Sequence, residues 1–271
     1  MNTSINPYSK EGESFQALLK IMDELRAQCP WDQKQTLESL RPLTLEEVYE
    51  LSDSILQGDT QNLCKELGDV LLHIIFYAKI SSESNAFGIE EVIQELCKKL
   101  IYRHPHIYGD VKVKDEEEVK KNWEQLKIKE GNSSVLGGVP KSLPSLIKAQ
   151  RIQEKAAGVG FDWKDEKLVW DKVLEEMNEF QEELIQYDAS GQEDRVLAQK
   201  MEEEFGDILF SLVNYARFKK INPENALEKT NQKFLKRFSY IESEAKILGE
   251  KLVPENLDWM EKTWNEAKTK V

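Results

Sequence analysis

Apolar residues in the first part of the chain recur at the helical period. Between Ser14 and Gln28 they fall at Phe15, Leu18, Leu19, Met22 and Leu25, one stripe that predicts an amphipathic helix ended by Pro30 in CPWDQKQT. Thr44 followed by Glu47 reads as a capping box that opens a second helix, running to Gln57 and stopped by Gly58 and Asp59. A third helix is predicted from Asn62 to Ser81, with Leu63, Leu67, Val70, Leu71, Ile74 and Ala78 facing inward. A fourth starts near Ile89 and stops at the His-Pro of RHPH, and the charged stretch Lys114 to Lys129 predicts a fifth. GNSSVLGGVPKSLPS, from Gly131 to Ser145, has the Gly, Ser and Pro content of a linker. The pattern thus divides the chain into a helical domain at 1–130, a linker at 131–147 and a second helical domain at 148–271.

After the linker the same order returns. CPWD is echoed by GFDW at Gly160 to Trp163, LEEVYEL from Leu45 by LEEMNEF from Leu174, and KELGDVLLHIIFYAK from Lys65 by EEFGDILFSLVNYAR from Glu203. KLIYRH from Lys99 is echoed by KFLKRF from Lys233, and NWEQLK by TWNEAK. Matches in one order at a nearly constant spacing mark a duplicated module of four to five helices, so the expected fold is all-α with a tandem repeat.

Composition narrows the possible partners. Charged residues make up 32% of the chain and hydrophobic residues 40%, which suits long solvated helices around real cores. The net charge of -13 repels phosphate backbones, so nucleic acid is not expected as the main partner, and an anionic ligand would need a cation as intermediary. Cys29, Cys64 and Cys97 are odd in number and form no C-x-x-C pair, which fits a reducing cytoplasm better than a disulfide framework or a zinc ribbon. The opening MNTSINPYSKEGESF lacks the basic and apolar regions of a secretion signal. The apolar run Val70 to Ile80 is interrupted by His73, Tyr77 and Lys79 and falls short of the roughly 20 residues that span a bilayer, so no membrane role is expected.

The candidate chemistry lies in the repeat. Each module carries E-E-x-x-E on one helix and E-x-x-D at the head of the next, which places Glu47 with Glu50 and Glu66 with Asp69 in the first module. Glu176 with Glu179 and Glu204 with Asp207 occupy the same places in the second. Taking Val48, Leu51 and Ile55 as the buried line, and Met177, Phe180 and Leu184 in the second module, puts Glu47 and Glu176 beside the stripe and Glu46 and Glu175 opposite it. Two such helices packed antiparallel bring four carboxylates together. Their repulsion is relieved by a proton or a hard divalent ion, and all-oxygen ligation favours Mg²⁺ or Mn²⁺ over zinc. A solitary acidic i, i+3 pair is usually a solvated face; its recurrence beside apolar residues in both modules is what argues for a site.

Basic and aromatic residues add candidates. Lys233 and Arg237, like Lys99 and Arg103, are spaced i, i+4 and can clamp phosphates or serve as ordinary surface charge. Lys200 stands one turn before Glu204. Trp264 and Trp123 can stack on a base or pack a core. His104 and His106 read as a helix-ending turn, and His73 as a core histidine. A non-enzymatic acidic adaptor is permitted by composition, but it would not need its acids beside an apolar stripe. A regulatory nucleotide sensor is a further alternative.

With CPWDQKQT, TLEEVYE, ELGDVLLHIIFYA, RHPH, VGFDW, LEEMNE and EEEFGDILFSLVN, nearly the whole chain resembles the MazG nucleoside triphosphate pyrophosphohydrolases, within the all-α NTP pyrophosphatase superfamily. The resemblance implies hydrolysis of ribo- and deoxyribonucleoside triphosphates to monophosphate and pyrophosphate with Mg²⁺, a housecleaning role in the nucleotide pool, and a homodimer with intertwined helices. It further implies a catalytic second module, with metal ligands Glu176, Glu179, Glu204 and Asp207 and nucleotide contacts from Lys200, Lys233, Arg237 and Trp264. The first module keeps Glu47, Glu50, Glu66 and Asp69 but has Asn62 in place of Lys200, which puts its own turnover in question.

Overall fold

The computed structural model describes residues 9–116, 118, 119, 122, 123, 126 and 134–270, and among these residues every regular element is helical. The chain divides into two compact units, Met1–Lys112 and Val113–Val271. This division lies upstream of the linker expected at 131–147. The described part of that segment holds to the second unit, where Lys155, only 7% exposed, reaches the Val135 carbonyl with Nζ at 3.3 Å. Half of the residues from Lys114 to Lys129, where a fifth helix is expected, fall outside the described residues.

The first unit is built from α1 (Lys10–Gln28), α2 (Leu37–Gln57), α3 (Thr60–Glu83), α4 (Ile89–Arg103) and the single turn α5 (Pro105–Tyr108), with a 3₁₀ turn at Asp32–Lys34. Local chemistry sets the ends. Ser9 caps α1 by accepting from the Gly12 N–H, and Asp59 caps α3 by accepting from Gln61 and Asn62. Gly58, at φ +70°, provides the left-handed turn that lets α3 fold back on α2 within two residues. The core is Met22, Leu40, Ile75 and Phe76, ringed by residues that include Phe15, Leu18, Leu19 and Leu71. Each such buried side chain contributes about 1.5–3 kcal/mol.

The capping box expected at Thr44 and Glu47 is not where α2 begins. The helix opens eight residues earlier, where Thr36 and Ser39 cap each other's backbone N–H groups, and it carries Pro42 inside at the loss of one bond to the Glu38 carbonyl. Thr44 lies within the helix, with its hydroxyl donating to the Leu40 carbonyl. Buried Leu40 accounts for the earlier start, because it anchors the first turn to the core.

The second unit comprises α6 (Ser145–Gly158), α7 (Glu166–Ala189), α8 (Arg195–Phe218), α9 (Pro223–Leu248) and α10 (Leu257–Lys270), with a 3₁₀ turn at Pro254–Asn256. Asp165 and Asp194 cap α7 and α8, and α9 runs from an Asn222 cap to Gly249 at φ +71°. Val169, Val173, Val213, Ile241, Ala245 and Ala267 form its buried centre. Among the described residues no helix is long and apolar enough to cross a membrane.

Several apolar residues placed inward by periodicity are exposed within the single chain: Leu67 and Ile74 on α3, Val48 and Ile55 on α2, and Met177 on α7. The buried line of α2 runs instead through Leu40 and Ser54, and that of α7 through Val169, Val173 and Glu176. Periodicity fixes that a stripe exists; which of two apolar edges meets the core is decided by the packing of α2 on α3 and of α7 on α8.

Candidate functional site

In each unit the acids stand on two helices folded back on one another, α2 with α3 and α7 with α8. In the first unit one carboxylate oxygen from each of Glu47, Glu66 and Asp69 lies within 4.8 Å of the others, and in the second unit Glu176, Glu204 and Asp207 converge to the same limit. Glu66 and Glu176 are each only 7% exposed. Burying carboxylates side by side without a counter-charge is costly, and Glu66 shows it: its Oε2 is buried with no hydrogen-bond partner among the described residues. Three converging oxygen donors, one left unsatisfied, fit a hard divalent cation and leave room for water and phosphate oxygens in its shell.

Glu50 and Glu179, the fourth acid of each set, stand outside these triads. Both are exposed, and each lies within hydrogen-bonding reach of a triad member. The Glu179 carboxyl is pushed above the usual carboxylate range chiefly by its hydrogen bond with Glu176, with desolvation and the charge of Glu176 adding to it. That of Glu50 is raised first by desolvation and then by Glu66, Glu46 and Asp69. Glu47 is raised likewise by burial, then by Asp69, Glu50 and Glu66. Each cluster therefore favours holding a proton where no cation offsets its charge.

The two sites differ in the basic residues at hand. In the second, Lys172 sits one turn before Glu176 with Nζ 2.7 Å from its Oε1 and 2.8 Å from Oε1 of Glu175, and its pKa is raised by those two hydrogen bonds. The matched position in the first unit is Leu43. The one sequence signal for Lys172 is its i, i+4 spacing to Glu176. Lys200 lies 3.8 Å from Glu183 on α7, whereas Asn62, its counterpart, donates to the Ser54 hydroxyl at 2.7 Å.

The other candidates lie on α9 and α10. Arg237 places its guanidinium 5.6 Å from the Trp264 ring, and Trp264 also packs on Phe234 with ring centroids 5.0 Å apart. Among the described residues the Arg237 Nε is buried without a hydrogen-bond partner, and Lys233 is exposed and makes no ion pair. In the first unit Lys99 is exposed on α4. His104 ends α4 and starts α5, its ring 5.6 Å from that of His106. His73 is buried and bonded through Nδ1 to the Thr44 hydroxyl at 2.9 Å.

The model of the MazG nucleotide pyrophosphohydrolase domain matches residues 35–108 and again 165–241, one segment in each half. All eight acids lie inside the two segments, with Lys200, Lys233 and Arg237 in the second; Trp264 lies beyond it. The chain is 41% identical over 262 residues to the nucleoside triphosphate pyrophosphohydrolase/pyrophosphatase MazG of Thermotoga maritima, covering 95% of this chain and 96% of that one. It is 40% identical over 258 residues to the nucleoside triphosphate pyrophosphohydrolase of Escherichia coli K12, covering 93% and 95%. The uncharacterized protein YabN of Bacillus subtilis strain 168 is 48% identical over 259 residues, which are 94% of this chain and 51% of that longer one. With the acid-bearing helices of both units inside matched segments and relatives aligned from end to end, the chain belongs to the MazG nucleotide pyrophosphohydrolase family.

Proposed function

We propose that the chain hydrolyses nucleoside triphosphates, ribo- and deoxyribo-, to the monophosphate and pyrophosphate, using Mg²⁺ or Mn²⁺ held by its carboxylates. The observation that carries this reading is the convergence of Glu176, Glu204 and Asp207 on α7 and α8, within a family whose close relatives are named nucleoside triphosphate pyrophosphohydrolases. A hard divalent ion bound there supplies positive charge against the triphosphate and acidifies water.

The side chains divide the remaining work. Glu179, exposed and raised in pKa by Glu176, is the group suited to take a proton from the water that attacks the α-phosphorus. Arg237 and Lys233 oppose the charge that develops on the departing pyrophosphate oxygens. Trp264, supported by Phe234, offers a ring face to the base. Glu47, Glu66 and Asp69, with exposed Glu50 at their edge, form a second cation site, which lacks a lysine at the position of Asn62 and is expected to turn over nucleotide less well. We further propose a cytoplasmic homodimer that clears unwanted nucleotides, with no stable nucleic-acid or membrane partner.

The test is product identity. ATP or dGTP with Mg²⁺ should yield pyrophosphate and monophosphate in equal amounts, and chelation should stop it. Orthophosphate as the sole inorganic product would overturn the reading.

A further inference from the structure

The repeat supplies an internal control for one contact beside the second site. Seven residues beyond Glu176 on α7, Glu183 faces Lys200 of α8 at 3.8 Å, with the glutamate side chain 18% exposed and the lysine 53% exposed. Among the described residues the Glu183 Oε2 is buried without a hydrogen-bond partner. At the matched positions of the first unit, Ser54, 2% exposed, accepts a hydrogen bond from Asn62 at 2.7 Å. The same helix–helix contact is thus closed in one unit by a neutral hydrogen bond.

Packing therefore does not require charge at this place. A carboxylate here carries two burdens: it adds a negative charge one turn past Glu179, on the face that already gathers the site's acids, and it leaves a buried oxygen unsatisfied. A pair separated by 3.8 Å with a half-exposed lysine contributes little to stability in return. What the arrangement does achieve is to hold an ammonium group one turn before Glu204, with its N–H donors still open to solvent.

We infer that Glu183 is a positioning residue: it tethers the Lys200 ammonium at the edge of the carboxylate cluster, where its free donors meet the phosphates of a nucleoside triphosphate. The Ser54–Asn62 pair is the uncharged form of the same device, which leaves the first site without this cation. The inference rests on the nucleotide-hydrolase reading for its substrate, and Glu183 itself touches no reacting atom.

A double-mutant cycle in the full-length chain tests it, using Glu183→Gln, Lys200→Gln and the pair, with pyrophosphate release from ATP measured in Mg²⁺. Glu183→Gln should raise KM about fivefold and leave kcat within about twofold, with no loss of melting temperature. In the Lys200→Gln background the same change should have no further effect, because a residue acting only through Lys200 has nothing left to position. Additive losses, or an unchanged KM in Glu183→Gln, overturn the inference. Glu183→Ser, which copies the matched position, replaces Glu183→Gln should the latter fail to fold. The cycle read as affinity for a nonhydrolysable α,β-methylene triphosphate needs no turnover. It decides the role of Glu183 even where pyrophosphate release fails and the hydrolase reading falls.

Discussion

Lys172 and Glu176 stand one turn apart on α7, with the lysine Nζ 2.7 Å from the glutamate Oε1, so the buried acid of the second site has a cation on its own helix. That lysine both aims Glu176 and competes for it. A unit charge a few ångströms from a dication repels it by about 1–2 kcal/mol in a water-like medium, less in salt. Lys172→Met should therefore tighten Mg²⁺ binding to the nucleotide-free protein about three- to tenfold at pH 8, read by calorimetry. Weaker binding would show that orienting Glu176 outweighs the repulsion.

Glu179 and Glu50 occupy matched exposed positions, yet only Glu179 has a lysine, Lys172, among the charges acting on it. Glu179→Ala should cost about 10²–10⁴-fold in pyrophosphate release while leaving the helical circular dichroism intact. Glu50→Ala should leave most of the release in place. Equal losses in the two variants would contradict a quieter first site.

The Glu47 carboxyl, raised by burial and then by Asp69, Glu50 and Glu66, sets a pH dependence. A carboxyl whose pKa is higher folded than unfolded leaves the native state holding more protons in the window between the two values. Stability then falls as pH rises from the unfolded value of about 4.3 through the folded one. In chelator, Glu47→Gln should raise the melting temperature at pH 8 by about 2–4 °C and leave it unchanged at pH 3.5. A lower melting temperature at pH 8 would mean that the ionised carboxylate is satisfied without a cation.

Arg26 gives the opposite sign. Its guanidinium bonds Glu83 through Nε at 2.8 Å and Nη2 at 2.9 Å, and also reaches the backbone carbonyls of Asp32 and Gln35, so it fastens the 3₁₀ turn to the end of α3. The Glu83 carboxyl is lowered mainly by that hydrogen bond. The pair's contribution is present above the unfolded carboxyl value and lost as pH falls through the folded one. Because Glu83 is 41% exposed, solvent screens the ion pair, and most of the cost of Arg26→Ala comes from the abandoned carbonyls: about 2 kcal/mol by urea unfolding of the first unit.

Helix order and the repeat were legible because they depend on spacing along the chain. The choice of buried edge was not: Val48, Ile55 and Met177 match the helical period as well as Leu40 and Val173 do, and only the packing of one helix on the next separates them. The start of α2 is hidden for a related reason, since Thr36 with Ser39 lacks the Glu or Gln of the usual capping box while Thr44 with Glu47 has it. The acids could be named from their i, i+3 spacing. That Glu66 and Glu176 are buried, and that Glu50 and Glu179 stand outside the triads, depends on contacts between helices.

Thr44, inside α2 and not at its start, has a role three residues before Glu47. Its hydroxyl bonds the Leu40 carbonyl at 2.9 Å, the His73 Nδ1 at 2.9 Å and the Tyr77 hydroxyl at 2.6 Å, which locks α2 to α3 one turn from the first cluster. The second unit has Val173 at the matched position, fully buried and with no hydroxyl to offer the facing helix. A threonine and a valine have the same shape, so Thr44→Val fills the space but strands two polar groups on α3. The expected cost is about 1–3 kcal/mol in unfolding free energy. Adding Tyr77→Phe should recover part of it, because the second change removes one of the stranded groups. A Thr44→Val chain as stable as wild type would show that water satisfies His73 and Tyr77 and that apolar packing alone sets the α2–α3 register.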